Sequence, residues 1–146
     1  MPNPTHFTKL ENMYLSGKIN QEIYKSVAIV VNEKSATITM QVDERYFHAG
    51  NSLHGSVYFK MLDDAAYFAV NSVVTDSFVY TTSFNIQILR PVKSGKITAN
   101  GELKFASKNL FIADAILYDE KNREVARGSG NFMKSGIMLG EEIGYK

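Results

Sequence analysis

The chain has 146 residues, of which 45% are hydrophobic and 21% charged, and it contains no cysteine. Its 16 Lys and Arg residues are balanced by 15 Asp and Glu residues, which disfavours nucleic acid as a partner because such proteins usually carry a basic excess. The lack of cysteine excludes disulfides, a thiolate nucleophile and cysteine-ligated zinc. The start of the chain lacks a signal pattern, and no apolar run approaches the ~20 residues of a membrane span. We therefore expect one soluble, cytoplasmic domain over residues 1–146.

The N-terminal segment, residues 1–20, is predicted to form a helical cap. Apolar side chains recur at spacings of three and four over residues 5–15, which is typical of an amphipathic helix, and Ser16-Gly17 ends it. We interpret His6 in this segment as a surface residue. Two short runs, residues 26–31 and 36–42, then predict a hairpin that turns at residues 32–34.

A polar loop from residue 47 leads into a long, almost wholly apolar helix that begins near His54 or Gly55. Strand-like runs follow at residues 79–90, 96–105, 110–118 and 123–133, while the tail, residues 135–146, shows no clear element. This order predicts the α+β class with one antiparallel sheet. The only polar stripe on the helix consists of Lys60, Asp64 and Asn71, so we expect the sheet to wrap around the helix, the hotdog arrangement, or a second subunit to cover it.

The two adjacent acidic residues of this helix have different environments. Asp64 lies one turn after Lys60, and we interpret it as a partly solvated charge in a weak ion pair, worth ~0.3–0.5 kcal/mol. Asp63 instead points among apolar neighbours, where an unpaired charge is costly. It either hydrogen-bonds a backbone group across a subunit contact, or burial raises its pKa and makes it a base or nucleophile.

The loop before the helix contains two of the three histidines, His48 and His54. A helix that starts near Gly55 presents unpaired N–H groups and a positive dipole end, which suit a carbonyl oxygen that becomes an oxyanion. The alternative is that Asn51 or Ser52 caps the helix and Gly55 only eases a turn. We predict no metal site, because there is no HExxH motif and the histidines and Asp63 do not form a recognised ligand set.

Three segments together resemble the hotdog-fold acyl-CoA thioesterases of the phenylacetate-pathway type: HAGNSLHGSVYFKMLDDAAYFA, TTSFNIQILRPVKSG and VARGSGNF. In that family a polar residue stands six positions before a His-Gly-Gly that opens the central helix, and an acidic residue follows the His by nine. His54 and Asp63 have this spacing. The family's strand-and-turn motif is matched at Asn85, Ile86, Arg90, Pro91 and Gly95. The resemblance covers about residues 42–132.

The resemblance implies hydrolysis of an acyl-CoA thioester by a homodimer or dimer of dimers, with each site at a subunit interface and no cofactor beyond the CoA of the substrate. The Gly55 N–H would polarise the thioester carbonyl, and Asp63 of the facing subunit would activate water or attack directly. His54 would shape the loop, and the Thr81 hydroxyl would orient the water. The alternation of residues 80–88 independently predicts one polar face of that strand, with Thr81, Ser83, Asn85 and Gln87.

Substrate-binding positions are also implied by the resemblance. Lys108 matches a basic position near the coenzyme, Arg90 is a second candidate for phosphate contact, and Asn51 and Ser56 belong to the substrate-binding loop. Bulky aromatic side chains favour a short or aromatic acyl group: Tyr58, Phe59, Tyr67 and Phe84.

The sequence departs from the family at two positions. His48 stands where the family commonly has Asn, and because histidine titrates near neutrality it alters the expected pH profile. Ser56 replaces the second Gly of His-Gly-Gly and either narrows the approach of the thioester or adds a donor. Two alternatives follow: a hotdog hydratase or dehydratase that uses His48 with Asp63, and a non-catalytic acyl-CoA-binding module.

Overall fold

The structure is a computed structural model that describes residues 2–146. Two helices come first, α1 (Pro4–Ser16) and α2 (Lys18–Glu22), followed by the hairpin β1 (Ala28–Asn32) and β2 (Ser35–Gln41). The long helix α3 (Gly55–Asn71) precedes four strands: β3 (Ser77–Ile88), β4 (Lys96–Ala106), β5 (Phe111–Tyr118) and β6 (Glu124–Met138). Short 3-10 turns occupy Glu44–Tyr46 and Glu141–Ile143.

The six strands form one antiparallel sheet in the order β1-β2-β4-β5-β6-β3. The alternate residues of β2, β4 and β5 that face α3 are buried, as expected for a sheet with one face on the core. At Gly101 of β4 a side chain would collide with the backbone of Ala65 in α3, so the helix lies directly against the sheet. The predicted α+β class and the helix wrapped by an antiparallel sheet are confirmed.

The N-terminal helices cover the polar stripe that the sequence predicts on α3. Tyr14 of α1 donates a hydrogen bond to Asp64 (2.7 Å), and Lys60 pairs with the same carboxylate (2.6 Å). The predicted ion pair is therefore present, but it is less solvated than expected, with the Lys60 side chain 10% and the Asp64 side chain 20% exposed. Asn71, the third member of the stripe, is fully buried at the end of α3.

Two expectations for the chain termini are wrong. His6 is buried, and its Nε2 lies 2.8 Å from the Asn71 carbonyl oxygen while its Nδ1 lies 2.7 Å from the Tyr145 hydroxyl. The tail is not devoid of structure, because β6 continues to Met138 and a 3-10 turn follows. His6 is buried because the two termini pack on each other, a contact that sequence periodicity does not report. The extension of β6 comes instead from its pairing with β3, where Met138 lies opposite Ser77. Among residues 2–146, no helix combines the length and apolar character needed to cross a bilayer.

Candidate active site

The loop before α3 is held in one shape by backbone hydrogen bonds. Phe47 and Leu53 form an isolated antiparallel bridge, and the His48 N–H donates to the Ser52 carbonyl (3.0 Å). Asn51 has a left-handed backbone (φ 71°) and donates to the His48 carbonyl (2.9 Å). Asn51 is thus a turn residue, and the idea that Asn51 or Ser52 caps the helix is wrong.

Each loop histidine accepts a hydrogen bond from the backbone two residues further on. His54 Nδ1 accepts from the Ser56 N–H (3.0 Å) and caps α3, with Ser56 Oγ 2.8 Å from the same nitrogen. His48 Nδ1 accepts from the Gly50 N–H (2.9 Å), and its Nε2 lies 3.2 Å from Ser52 Oγ. An Nδ1 that accepts cannot carry the proton, so both neutral imidazoles have their proton on Nε2.

Gly55 is the first residue of α3, where N–H groups have no partner within the helix. The next N–H, that of Ser56, is used by His54, and the Val57 N–H donates to the His54 carbonyl (3.0 Å). Gly55 lines a cavity of about 280 Å³ together with His48 and Arg90. The helix dipole places partial positive charge at this point, which favours a carbonyl oxygen that gains negative charge.

Asp63 lies in a separate, larger cavity of about 570 Å³. Its Oδ1 accepts a hydrogen bond from the Thr81 hydroxyl of β3 (2.8 Å). The pKa of Asp63 is raised from 3.8 to about 6, chiefly because the carboxyl group is buried; the neighbouring Asp64 also raises it, whereas the Thr81 hydrogen bond and the Lys60 charge lower it. A carboxyl group that titrates near pH 6 is an effective proton acceptor at neutral pH.

The strand that carries Thr81 does not have the single polar face predicted from alternation. The pairing of β3 with β6 shifts between Thr81 and Ser83, which is a β-bulge. Thr81 therefore faces α3, whereas Asn85 and Gln87 line a groove on the outer face of the sheet. Phe84 faces inward instead and packs against Phe59, with ring centroids 5.5 Å apart.

The comparisons with known proteins agree with this architecture. A family model described as the thioesterase superfamily matches residues 50–126, from the loop before α3 into β6. The chain belongs to the thioesterase superfamily. SSO1253 of Saccharolobus solfataricus, described as a putative esterase, is 26% identical to this chain over 116 residues, which cover 77% of each chain.

Solved thioesterase-superfamily structures share the hotdog fold of this chain. The PaaI protein of the E. coli phenylacetic acid degradation operon superposes with a TM-score of 0.82 at 21% identity, covering 92% of this chain and 96% of PaaI. Thioesterase HI1161 of Haemophilus influenzae gives a TM-score of 0.73 at 22% identity, with 84% and 85% covered. At these identities the likeness establishes the fold.

The structure keeps two groups of predicted site residues apart. Gly55, His48 and Arg90 line the smaller cavity, while Asp63, Thr81 and Ser56 line the larger one. Asp63 follows Gly55 by eight residues, and at 1.5 Å per residue this is about 12 Å along the helix axis. The Gly55 N–H and the Asp63 carboxylate of one chain therefore lie at different cavities.

Two candidate coenzyme-binding residues are exposed and lie outside the larger cavity. Lys108 is in the turn between β4 and β5, as predicted. Arg90 follows β3, and its guanidinium donates to the Glu124 carbonyl (3.2 Å), so it is partly engaged. Of the four aromatic residues predicted at the end of the acyl pocket, Phe59 and Tyr67 line the Asp63 cavity, whereas Tyr58 lines the smaller cavity and donates to the Arg90 carbonyl (2.8 Å).

Part of the cavity wall comes from the N-terminal segment, which was not predicted from the sequence. Tyr14 of α1 and Tyr24, between α2 and β1, line the Asp63 cavity, and both rings lie close to the Lys60 ammonium. The only sequence signal was the apolar spacing that includes Tyr14. It predicted a buried helix face but not the surface against which that face packs.

Proposed function

We propose that this protein is an acyl-CoA thioesterase that hydrolyses the thioester of a short-chain or aromatic acyl-CoA. The observation that carries the proposal is the Asp63 carboxyl group, held by Thr81 in a largely apolar cavity with its pKa raised to about 6. Membership of the thioesterase superfamily supports hydrolysis as the reaction class.

In the proposed reaction, Asp63 accepts a proton from water as the water oxygen attacks the thioester carbonyl carbon. The carbonyl oxygen becomes an oxyanion that accepts a hydrogen bond from the Gly55 N–H, and such a donor is worth ~2.7–4 kcal/mol. When the C–S bond breaks, the proton on Asp63 passes to the leaving sulfur, which gives the free acid and CoA. Direct attack by the Asp63 carboxylate is the alternative route through the same groups. Neither route requires a cofactor.

The proposed site combines two subunits, with Gly55 from one and Asp63 from the other. The separation of about 12 Å along α3 within one chain supports this arrangement. So does β3, a 12-residue strand at the edge of the sheet that has no charged residue and no proline. Edge strands without such protection pair readily with another chain. Exposed apolar side chains beside this edge add to the contact: Phe59, Tyr80 and Ile88.

The substrate is proposed to lie with its acyl group in the Asp63 cavity and its CoA moiety toward the loop before α3. The cavity is lined by Phe59, Tyr67 and Phe78, which suits a compact apolar or aromatic group. Ser56 lies on the first turn of α3, directly after Gly55, and lines the Asp63 cavity. It would contact the thioester region. Lys108 and Arg90 would contact CoA phosphates, with Asn51 at the loop tip.

The test is hydrolysis of a panel of acyl-CoAs by the wild type and by Asp63→Asn. Because a positioned general base contributes ~10²–10⁴ in rate, kcat/KM should fall at least ~10²-fold on the best substrate. Asp114→Asn, on the outer face of the sheet, is the matched control and should keep the wild-type rate. Undiminished turnover by Asp63→Asn would sink the assignment of the base.

Two other outcomes would replace the proposed function. Addition of water to an enoyl-CoA without release of free CoA would identify a hydratase, for which His48 and Asp63 are the acid and base available. Tight binding of acyl-CoA with no chemical conversion of any panel member would identify a binding module.

A further inference from the structure

The Asp63 cavity contains two adjacent carboxylates, Asp63 and Asp64, but only one cationic side chain, that of Lys60. On a helix, the residue at position 60 is within reach of both position 63 and position 64. The ammonium pairs with Asp64 (2.6 Å). Asp63 is left with the Thr81 hydroxyl as its hydrogen-bond donor.

Two tyrosines from the N-terminal segment favour the pairing with Asp64. The Tyr14 oxygen accepts a hydrogen bond from Lys60 Nζ (3.3 Å), and the Tyr14 hydroxyl donates to the Asp64 oxygen that Lys60 also contacts (2.7 Å), so that Tyr14 bridges the ion pair. The ammonium is 5.1 Å from the centroid of the Tyr14 ring and 4.9 Å from that of Tyr24, within the range of cation–π attraction. Because burial raises the pKa of Tyr14, its hydroxyl stays protonated and continues to donate.

We propose that Tyr14 and Tyr24 are positioning residues that hold the Lys60 ammonium on Asp64 and so keep Asp63 free of a cationic partner. If Lys60 moved to Asp63, the carboxylate would be stabilised and would become a weaker base, because an opposite charge within ~4–6 Å lowers a carboxyl pKa by ~1–3. The N-terminal segment thus maintains the basicity of Asp63 as well as covering the cavity. This role rests on the proposed function of Asp63 as a thioesterase base, but the proton equilibrium of Asp63 exists without substrate.

Other titratable groups face Asp63 from each element that packs around it. Asp64 and Tyr67 come from α3 itself, Tyr80 from β3, and Tyr14 from α1. Burial raises the pKa of Tyr67 well above neutrality. Asp64 and Lys60 are therefore the charges on which the state of Asp63 depends near pH 6.

The test measures the titration of Asp63 directly, by NMR of protein labelled with ¹³C at the aspartate carboxyl carbon, with the signal assigned from Asp63→Asn. In Tyr14→Phe and Tyr24→Leu, and most in the double variant, the midpoint of Asp63 should move down by ~1 pH unit. Tyr118→Phe, on the outer face of the sheet, is the control and should leave it unchanged. Far-UV circular dichroism checks the fold, and if the double variant is not native, Tyr14→Phe decides, since it removes one oxygen atom.

A Lys60→Met background separates this proposal from simple opening of the cavity to water. There the tyrosine changes should produce no downward shift, because no ammonium remains to move. A downward shift that persists without Lys60, or no downward shift when Lys60 is present, would overturn the proposal. Since the NMR titration needs no substrate, a wild type that hydrolyses no acyl-CoA would contradict the proposed function while leaving this result decisive.

Discussion

Asp63 is a residue whose burial serves its proposed chemistry at the expense of stability. The cavity that raises its pKa to about 6 removes water from the ionised carboxylate, and the Thr81 hydrogen bond compensates only in part. The same desolvation keeps the group basic enough to accept a proton at neutral pH. Asp64, one residue later, instead has Lys60 and Tyr14 as hydrogen-bonded partners.

The raised pKa predicts the acid side of the pH profile. A general base works only when deprotonated, so kcat/KM should rise about tenfold per pH unit below pH 6 and level off above it. Measurement of kcat/KM between pH 4.5 and 8 on the best acyl-CoA would show this. A midpoint near 4 would mean that the reacting carboxyl group is not buried as Asp63 is.

The free energy of unfolding should fall as the pH rises, whereas kcat/KM rises. The pKa of Asp63 is about 6 in the folded state against 3.8 ordinarily, so the folded state binds more protons between these values. The stability from this group is therefore complete below about pH 4 and is lost as the pH rises through 6, by up to about 3 kcal/mol. Asp63→Asn should melt at a higher temperature than the wild type at pH 7.5, with the advantage disappearing near pH 4. An equal gain in melting temperature at both pH values would contradict this relation between the pKa of Asp63 and stability.

At the scale of elements, α3 shows what the sequence could and could not reveal. Its apolar character, its start near Gly55 and the inward direction of Asp63 follow from composition and 100° periodicity. The β-bulge that turns Thr81 toward Asp63 breaks strict alternation and has no signal in a strand of ordinary β-formers. The docking of α1, which covers Asp64 and buries His6, depends on the complementary surfaces of two elements. Sequence periodicity describes the surface of only one element at a time.

The first residue of α3 allows the proposed oxyanion donor to be removed without removing the helix. Proline lacks an N–H and is favoured at the first helical position, and the preceding His54 already has the extended conformation that proline requires (φ -64°, ψ 144°). Gly55→Pro should therefore fold but lose ~10²–10³ in kcat. Gly55→Ala keeps the N–H, and its added carbon would lie 3.4 Å from Ile88 Cδ1, an ordinary contact. Equal losses in both variants would indicate steric blocking rather than loss of the donor.

At the scale of the whole molecule, the unprotected edge of β3 and the division of the site between two cavities have the same explanation. A two-fold contact along β3 would pair two copies through the same surface and bring the exposed Tyr80 and Ile88 side chains into an interface. Gly55 of one chain would then face Asp63 of the other, although the two residues lie about 12 Å apart along α3 within one chain. The proposed dimer therefore completes both the sheet and the site.

Complementation between two inactive chains tests this division of the site. In a heterodimer of Asp63→Asn with Gly55→Pro, one site has intact Gly55 and intact Asp63, and the other has neither. Coexpression with two different tags and tandem purification would isolate that heterodimer, which should recover about half of the wild-type kcat per dimer, as two-fold symmetry requires. Each parent variant, purified in the same way as a homodimer, should stay at its own low rate. Because both groups are altered in separate chains, recovery can arise only from a site that takes one group from each, whereas a heterodimer no more active than its parents would place the whole site within one chain.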